Sequence, residues 1–343
     1  SGSNLVFAEE VIEGARHIEV QILGDGHSCI HLFERDCSFQ RNFQKFIEFC
    51  PAPNLKTQTK EKLYNYAVVL CQSVGYKGLG TVEFLVDKNE KIYFMEVNPR
   101  VQVEHTITEE LTGIDLIRSQ INVFCGLSIR DQNLSEVKIS GKRASIQARL
   151  NMESYDSKLQ LVPAIGTIKE YDIASGPGIR VDDAGTVGLE NNGLYDSLLA
   201  KVVATSDFGL SEAVRKLNFT LRMSKISGIE TNKNLIIEVL NQENIESGSV
   251  NISSIDMKLE SYLQKLESNS QKSVIENKVS EVPYKPQIDS PLSENVIQSE
   301  LVGTVISVNV APNQKIKQGD TVLIQESMKM HHPLKAPLNG FIT

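Results

Sequence analysis

Hydrophobic and polar positions alternate in short runs at the start of the chain. HIEVQIL (17–23) and CIHLF (29–33) flank Gly24-Asp25-Gly26, a pattern that predicts strand, turn, strand. Between Lys56 and Val74 the period lengthens to that of a helix. Leu63, Ala67, Leu70, Cys71 and Val74 fall on one stripe, closed by Gly75. Two more strands, TVEFLV (81–86) and KIYFMEV (91–97), are predicted across the polar turn Asp87-Lys88-Asn89-Glu90, and a helix is predicted around 109–125. After Gly141 come short strands and glycine-rich turns up to about residue 205. Two helices follow, opened by Ser211 and Thr231, and a last amphipathic segment carries Leu259, Tyr262, Leu263 and Leu266.

Residues 267–296 break the pattern. They are rich in Ser, Asn, Gln, Lys and Glu, hold Pro283, Pro286 and Pro291, and read as a linker. A flexible coil of this length spans roughly 30 Å on average and about 100 Å when fully extended. Beyond it, short strands are joined by Pro-Asn and Gly-Asp turns. Leu301-Val-Gly303-Thr-Val-Ile306 is echoed by Leu338-Asn-Gly340-Phe-Ile-Thr343, a repeat whose second copy stops at its first strand. Such a half-repeat is expected to leave 297–343 poorly ordered.

Composition narrows the function. A length of 343 residues allows two or three domains, and 41% hydrophobic residues is ordinary for a globular protein. No apolar stretch approaches the roughly 18 residues of a membrane span. A net charge of −8 without a basic patch argues against a nucleic-acid partner. Five cysteines without a CxxC pair read as free thiols of a reducing compartment.

The densest chemistry lies at Glu83, Glu96 and Asn98. Residues two apart on a strand share a face, so Glu96 and Asn98 point together, and Glu83 joins them if the hairpin loop is even in length. Two carboxylates and an amide oxygen suit Mg²⁺ or Mn²⁺ holding nucleotide phosphates. A solvated sheet face fits the same spacing, but neighbouring Phe84, Phe94 and Met95 favour a partly buried, metal-binding setting. Downstream, Arg100, Gln102, Glu104 and His105 crowd into one loop; acid–base chemistry and a surface salt-bridge cluster both fit, and His105 is given no role.

GTVEFLVD followed by FMEVNPRVQVEHTITEELTGIDLI resembles the biotin carboxylase branch of the ATP-grasp family. FERDCSFQRNFQKFIEFCPAP, SIQARLNME, GPGIRVDD and LYDSLLAK resemble the same family in the same order, over residues 5–266. The resemblance implies an α/β ATP-grasp domain, second half, over 1–130 and an α+β biotin carboxylase C-terminal domain over 131–266. It implies Glu83, Glu96 and Asn98 as metal ligands and Glu104 as the base that deprotonates bicarbonate. Lys45, Arg100, Gln102 and the Val103 backbone would bind bicarbonate, and Arg149 would stabilise the biotin enolate. Glu9, Glu10 and Ile12 would contact adenine in a hinge, with His17 and Gln40 lining the nucleotide pocket. Two departures weaken the nucleotide contacts: Phe43 stands where a polar residue is usual beside ribose, and Glu10 where a lysine is familiar.

Glu326-Ser327-Met328-Lys329-Met330 lies at the repeat junction and resembles the biotinyl domain, a partial all-β barrel-sandwich hybrid over 297–343, with Lys329 carrying biotin. A lipoyl domain, the sister fold, usually has Asp before the lysine. No glycine-rich lid precedes Leu5, so the chain is expected to be truncated at both ends and inactive alone. The implied reaction is ATP- and bicarbonate-dependent carboxylation of carrier-bound biotin. Its implied partners are a carboxyltransferase, biotin protein ligase and a second copy of the chain. The short linker favours an acetyl- or propionyl-CoA carboxylase; pyruvate or urea carboxylase, a non-biotin ATP-grasp ligase and a non-catalytic carrier remain alternatives. The expected compartment is cytoplasmic, with the mitochondrial matrix open.

Overall fold

In the computed structural model, residues 9–155, 161–193, 195–243, 245–273, 297, 299, 304–327 and 330–342 are described. The first predicted strand pair forms β1 (Arg16–Asp25) and β2 (Cys29–Arg41), followed by β3 (Gln44–Cys50). Helix α1 (Thr57–Ser73) leads to the hairpin β4 (Lys77–Val86) and β5 (Ile92–Asn98). The single helix expected around 109–125 is two, α2 (His105–Thr112) and α3 (Leu116–Phe124). Gly113 takes a left-handed φ of 73° that ends α2, and the Asp115 side chain caps α3 through the Arg118 amide. Then come β6 (Ala144–Asn151), several short ribbons, β7 (Ile179–Asp183), β8 (Leu198–Ser206), α4 (Leu210–Met223), α5 (Lys233–Gln242) and α6 (Ser254–Ser273). Gly209 and Asn232 precede α4 and α5, so the expected openings at Ser211 and Thr231 are displaced by a residue or two. Helix α6 also carries the last amphipathic segment seven residues into the predicted linker; 274–296 lie outside the described residues.

One antiparallel sheet, in the order β7-β8-β6-β3-β2-β1-β4-β5, runs through both parts of the biotin carboxylase-like body. The join is β3 against β6, with Glu48 opposite Gln147. Its two faces differ in character. On one, α1 packs Leu63, Ala67 and Cys71 against Ile18, Val20, Ile22, Val82 and Phe84, while α4 and α5 cover Ile47, Phe49, Ile146, Ala148, Val202 and Ala204. Burying each such side chain contributes about 1.5–3 kcal/mol. Leu70 and Val74, placed on the α1 stripe by period, are 37% and 70% exposed, so the buried face is narrower than expected.

The opposite face is polar yet also buried. Along β1 the alternation puts His17, Glu19 and Gln21 on one side, and all three are under 7% exposed. Helix α2 lies over this side, tying Cys50, Ile107, Leu111 and Val203 into a separate apolar cluster. Buried polar side chains there need partners, and Glu19 and Gln21 find one in Arg35.

The C-terminal segment is more regular than the half-repeat suggests. Strands Thr304–Val308, Thr321–Ser327 and Met330–Lys335 form one antiparallel sheet, and Lys315–Ile316 pairs with Gly340–Phe341. The backbone bonds Asn313 N to Ile342 O and Gly319 N to Ala336 O tie the turns together around Ile316, Val322 and Ala336. The second copy therefore supplies a partner for Lys315–Ile316, while Thr304–Val308 remains an edge strand on which Val305, Ile306 and Val308 are exposed. No barrel is closed among the described residues. Lys329 lies outside them, as do Leu301 and Gly303.

Candidate functional site

The metal-type cluster depends on an irregularity of the β4–β5 hairpin. Its connecting loop, residues 87–91, is odd in length, with Glu90 at a φ of 61°. In an unbroken register that loop would put Glu96 opposite Val82, on the apolar face. Instead Phe84 pairs with Phe94 and Glu83 pairs with Glu96, leaving Met95 as the extra residue of a bulge. The bulge turns Glu96 and Asn98 onto the face of Glu83, and Asn98 Nδ2 donates to Glu83 Oε1 and Glu96 Oε1, both at 3.0 Å. Since an amide offers an acceptor and a donor at equivalent places, a half-turn of Asn98 presents a third oxygen to the same point. Three hard oxygen donors converging in this way fit Mg²⁺ or Mn²⁺.

From this corner a row of charge crosses the sheet. Glu96, Glu83, Glu19 and Arg35 are successive cross-strand neighbours on β5, β4, β1 and β2. Arg35 is fully buried and donates to Glu19 Oε2 through Nε (3.1 Å) and Nη2 (3.0 Å). It also donates to Gln21, Thr81, Thr108 and, at 3.1 Å, to Gln102 Oε1. A guanidinium only donates, so Gln102 must give it the oxygen and turn Nε2 the other way, to Glu83 Oε1 at 2.7 Å.

Lys45 Nζ, at the base of the cleft, donates to Glu19, to Glu104 Oε1 at 2.9 Å and to Glu83 Oε1 at 3.2 Å. Glu104 is 2% exposed at the entry to α2, and its other oxygen accepts from Arg149 Nη2 at 3.0 Å. Arg149 Nε reaches Glu48 Oε1 at 2.5 Å. Lys201 Nζ donates to the Val103 carbonyl at 3.4 Å. Arg100, on the exposed rim, donates to Asn98 Oδ1 at 3.2 Å. Gln40 meets His17 Nδ1 at 2.7 Å, and His17 Nε2 stands 2.8 Å from Glu83 Oε2.

Burial alone would raise the Glu19 carboxyl pKa, but Lys45 and Arg35 outweigh it and bring it to about 2. Glu83 also falls to about 2, burial again being outweighed, here by His17, Lys45 and Gln102. The Lys45 and Arg149 pKa values are raised because neighbouring carboxylates overcome burial. Both carboxylates therefore stay ionised and both cations stay charged at neutral pH.

The structure thus brings His17, Gln40, Lys45, Glu83, Glu96, Asn98, Arg100, Gln102, Val103, Glu104 and Arg149 to one open cleft of about 950 Å³. It does not bring Glu9, Glu10 or Ile12 there; they lie in the extended segment before β1. Phe43, 82% exposed at the β2–β3 turn, lines the cleft edge. Sequence reading missed Glu19, Arg35 and Glu48. For Glu19 the available signal was the polar half of the β1 alternation, which reads equally well as a solvated face; Arg35 and Glu48 lie in the FERDCSFQRNFQKFIEFCPAP motif.

Comparison with known proteins gives the domains that carry this cleft. The family described as "Carbamoyl-phosphate synthase L chain, ATP binding domain" matches residues 1–132, "Biotin carboxylase C-terminal domain" matches 147–257, and "Biotin-requiring enzyme" matches 287–343. The chain carries biotin carboxylase and biotinyl domains. Mitochondrial pyruvate carboxylase of Mus musculus is 41% identical over 304 residues, 84% of this chain and 26% of that protein. The biotin carboxylase region also resembles the biotin carboxylase domain dimer of Hydrogenobacter thermophilus 2-oxoglutarate carboxylase, solved with MgADP and bicarbonate. There the TM-score is 0.68 at 35% identity, over 74% of this chain and 55% of that one. A single-chain, multi-domain long-chain acyl-CoA carboxylase matches with TM-score 0.70 and 34% identity, over 96% of this chain and 32% of that one. The chain spans about a quarter of the length of the curated relatives it matches. Among the described residues no helix is long and apolar enough to cross a membrane.

Proposed function

We propose that the cleft activates bicarbonate with ATP and passes its carboxyl group to biotin, the first half-reaction of a biotin-dependent carboxylase. The observation that carries this reading is the double engagement of Glu104: one oxygen is held by Lys45, the other by Arg149. A single carboxylate is thereby set between a cation suited to bicarbonate and one suited to biotin's ureido oxygen.

Bicarbonate is a weak nucleophile, so Glu104 takes its proton as it attacks the γ-phosphorus of ATP. Lys45, Arg100, Gln102 Nε2 and the Val103 backbone orient the anion. Glu83, Glu96 and Asn98 would hold a divalent cation, which supplies charge neutralisation at the phosphates. ADP leaves, the mixed anhydride of carbonate and phosphate breaks to CO₂ and phosphate, and the phosphate takes the ureido N–H proton as that nitrogen attacks CO₂. Arg149 fixes the carboxyl acceptor, a biotin carried on Lys329 after attachment by a biotin protein ligase. His17 and Gln40 are assigned to the nucleotide side, with Glu9, Glu10 and Ile12 as the adenine hinge, and a second copy of the chain as a partner. The test is ADP release by the purified protein in its full length, with and without bicarbonate and free biotin. Release that ignores bicarbonate counts against the reading.

Pyruvate is the carboxyl acceptor the sequence relatives favour, ahead of the acetyl- or propionyl-CoA suggested by the short linker. Those relatives are pyruvate carboxylases at 35–41% identity. An acyl-CoA acceptor keeps one observation in its favour: the match to the long-chain acyl-CoA carboxylase covers 96% of this chain. Carboxyl transfer from labelled bicarbonate to pyruvate, acyl-CoA or urea separates these. The mouse relative is named as mitochondrial, and the mitochondrial matrix is proposed here.

A further inference from the structure

Behind the cleft a closed polar ring joins Arg149 and Glu104 through three residues that the reaction steps above do not use. Arg149 Nε donates to Glu48 Oε1 at 2.5 Å, and Gln147 Nε2 donates to Glu48 Oε2 at 3.1 Å. The Thr106 hydroxyl donates to Gln147 Oε1, and Thr106 stands two residues beyond Glu104 on α2. Arg149 Nη2 then closes the ring on Glu104 Oε2 at 3.0 Å. Glu48, Gln147 and Thr106 are all 0% exposed, and none of them lines the cleft.

Every bond of the ring has a forced direction. A guanidinium offers only hydrogens, so Glu48 must accept on one oxygen from Arg149. Its second oxygen takes the Gln147 amide hydrogens, which leaves the Gln147 oxygen for Thr106. A glutamine at position 48 keeps an oxygen for Arg149 but loses the charge that holds the guanidinium, and its NH₂ end is met only if Gln147 turns over and donates to the Thr106 hydroxyl oxygen. Burying a carboxylate here is costly and is offset by the Arg149 charge alone among the two donors.

We propose that Glu48 is a positioning residue that aims Arg149. With Nε anchored to the β3–β6 seam, the guanidinium has one orientation, its Nη2 edge against Glu104 and its remaining surface toward the carboxyl acceptor. Gln147 and Thr106 complete the anchor by tying it to the helix that carries the base. This inference rests on the proposed function, and deepens it by naming what fixes the residue that faces biotin.

The test compares two reactions of one protein: bicarbonate-dependent ATP cleavage without biotin, and carboxylation of free biotin. Glu48→Gln is expected to lower kcat for biotin carboxylation about 10–100-fold, while biotin-independent ATP cleavage and the KM for ATP stay within about threefold, the difference expected of a misaimed guanidinium. Thr106→Val, which cuts the ring at its uncharged end, gives a smaller loss with the same split, and serves if Glu48→Gln does not fold. Equal loss of both reactions would make Glu48 a structural residue and overturn the proposal, as would no loss in either. Wild-type protein assayed in its full length and lacking both reactions would instead refute the proposed function itself.

Discussion

Glu83 and Glu96 face each other directly across β4 and β5 only because Met95 is an extra residue in the bulge between them. A β-strand has a side-chain period of two, so a shift of one residue exchanges its faces. Deleting Met95 should return Glu96 and Asn98 to the apolar side. The expected outcome is loss of Mn²⁺-nucleotide affinity by more than the roughly 10–100-fold that follows removal of an outer-shell partner. Calorimetric titration of the deletion variant measures it; unchanged affinity would show that Glu83 and its other neighbours hold the ion without them.

Glu19→Gln leaves Arg35 and Lys45 facing no buried carboxylate on β1. Breaking a buried ion pair by removing one partner costs about 3–5 kcal/mol, and urea denaturation at neutral pH should show a loss of that size. The pH dependence has a definite sign. The Glu19 pKa is lowered from the usual 4.5 to about 2 in the folded state, so its contribution is complete above pH 4.5 and disappears as pH falls toward 2. Wild-type stability should therefore drop across that window more steeply than the variant's.

How far this site was legible follows from where its parts reside in the chain. Glu83, Glu96, Asn98, Glu104 and Arg149 lie in motifs that resemble a known family. Glu19 was hidden by its own regularity, whereas Arg35 and Glu48 lie within FERDCSFQRNFQKFIEFCPAP and were not singled out there. A polar residue at every second position of a strand ordinarily marks the side that water covers. Here α2, about 85 residues further along than Glu19, covers that side instead, and no local pattern announces a lid so distant. The Met95 bulge was hidden for another reason: an odd loop and a bulge each reverse the face, and together they imitate the regular hairpin. Gly113 shows the opposite case, a visible residue whose break between α2 and α3 a helical period overran.

Arg149→Ala should separate the two halves of the chemistry. Carboxylation of free biotin is expected to fall by about 10²–10³-fold, the scale of losing one aimed electrostatic donor, with biotin-independent ATP cleavage largely kept. Steady-state assays of both reactions decide it. Equal loss would move Arg149 to the nucleotide side.

Lys329→Arg should abolish biotin attachment, since this lysine alone stands between two methionines at the repeat junction. Intact-mass spectrometry after co-expression with a biotin protein ligase is the measurement. A biotin adduct that persists in the variant would identify a different lysine.

The central claim is that the Lys45–Glu104–Arg149 centre makes bicarbonate attack ATP. Attack through a bicarbonate oxygen leaves that oxygen bonded to phosphorus when CO₂ departs. Turnover with [¹⁸O]bicarbonate should therefore place a single ¹⁸O in the released phosphate. Glu104→Gln should slow its appearance by about 10²–10⁴-fold, the usual effect of removing a general base. Unlabelled phosphate from the wild-type protein, or label appearing at the wild-type rate in Glu104→Gln, would contradict the account.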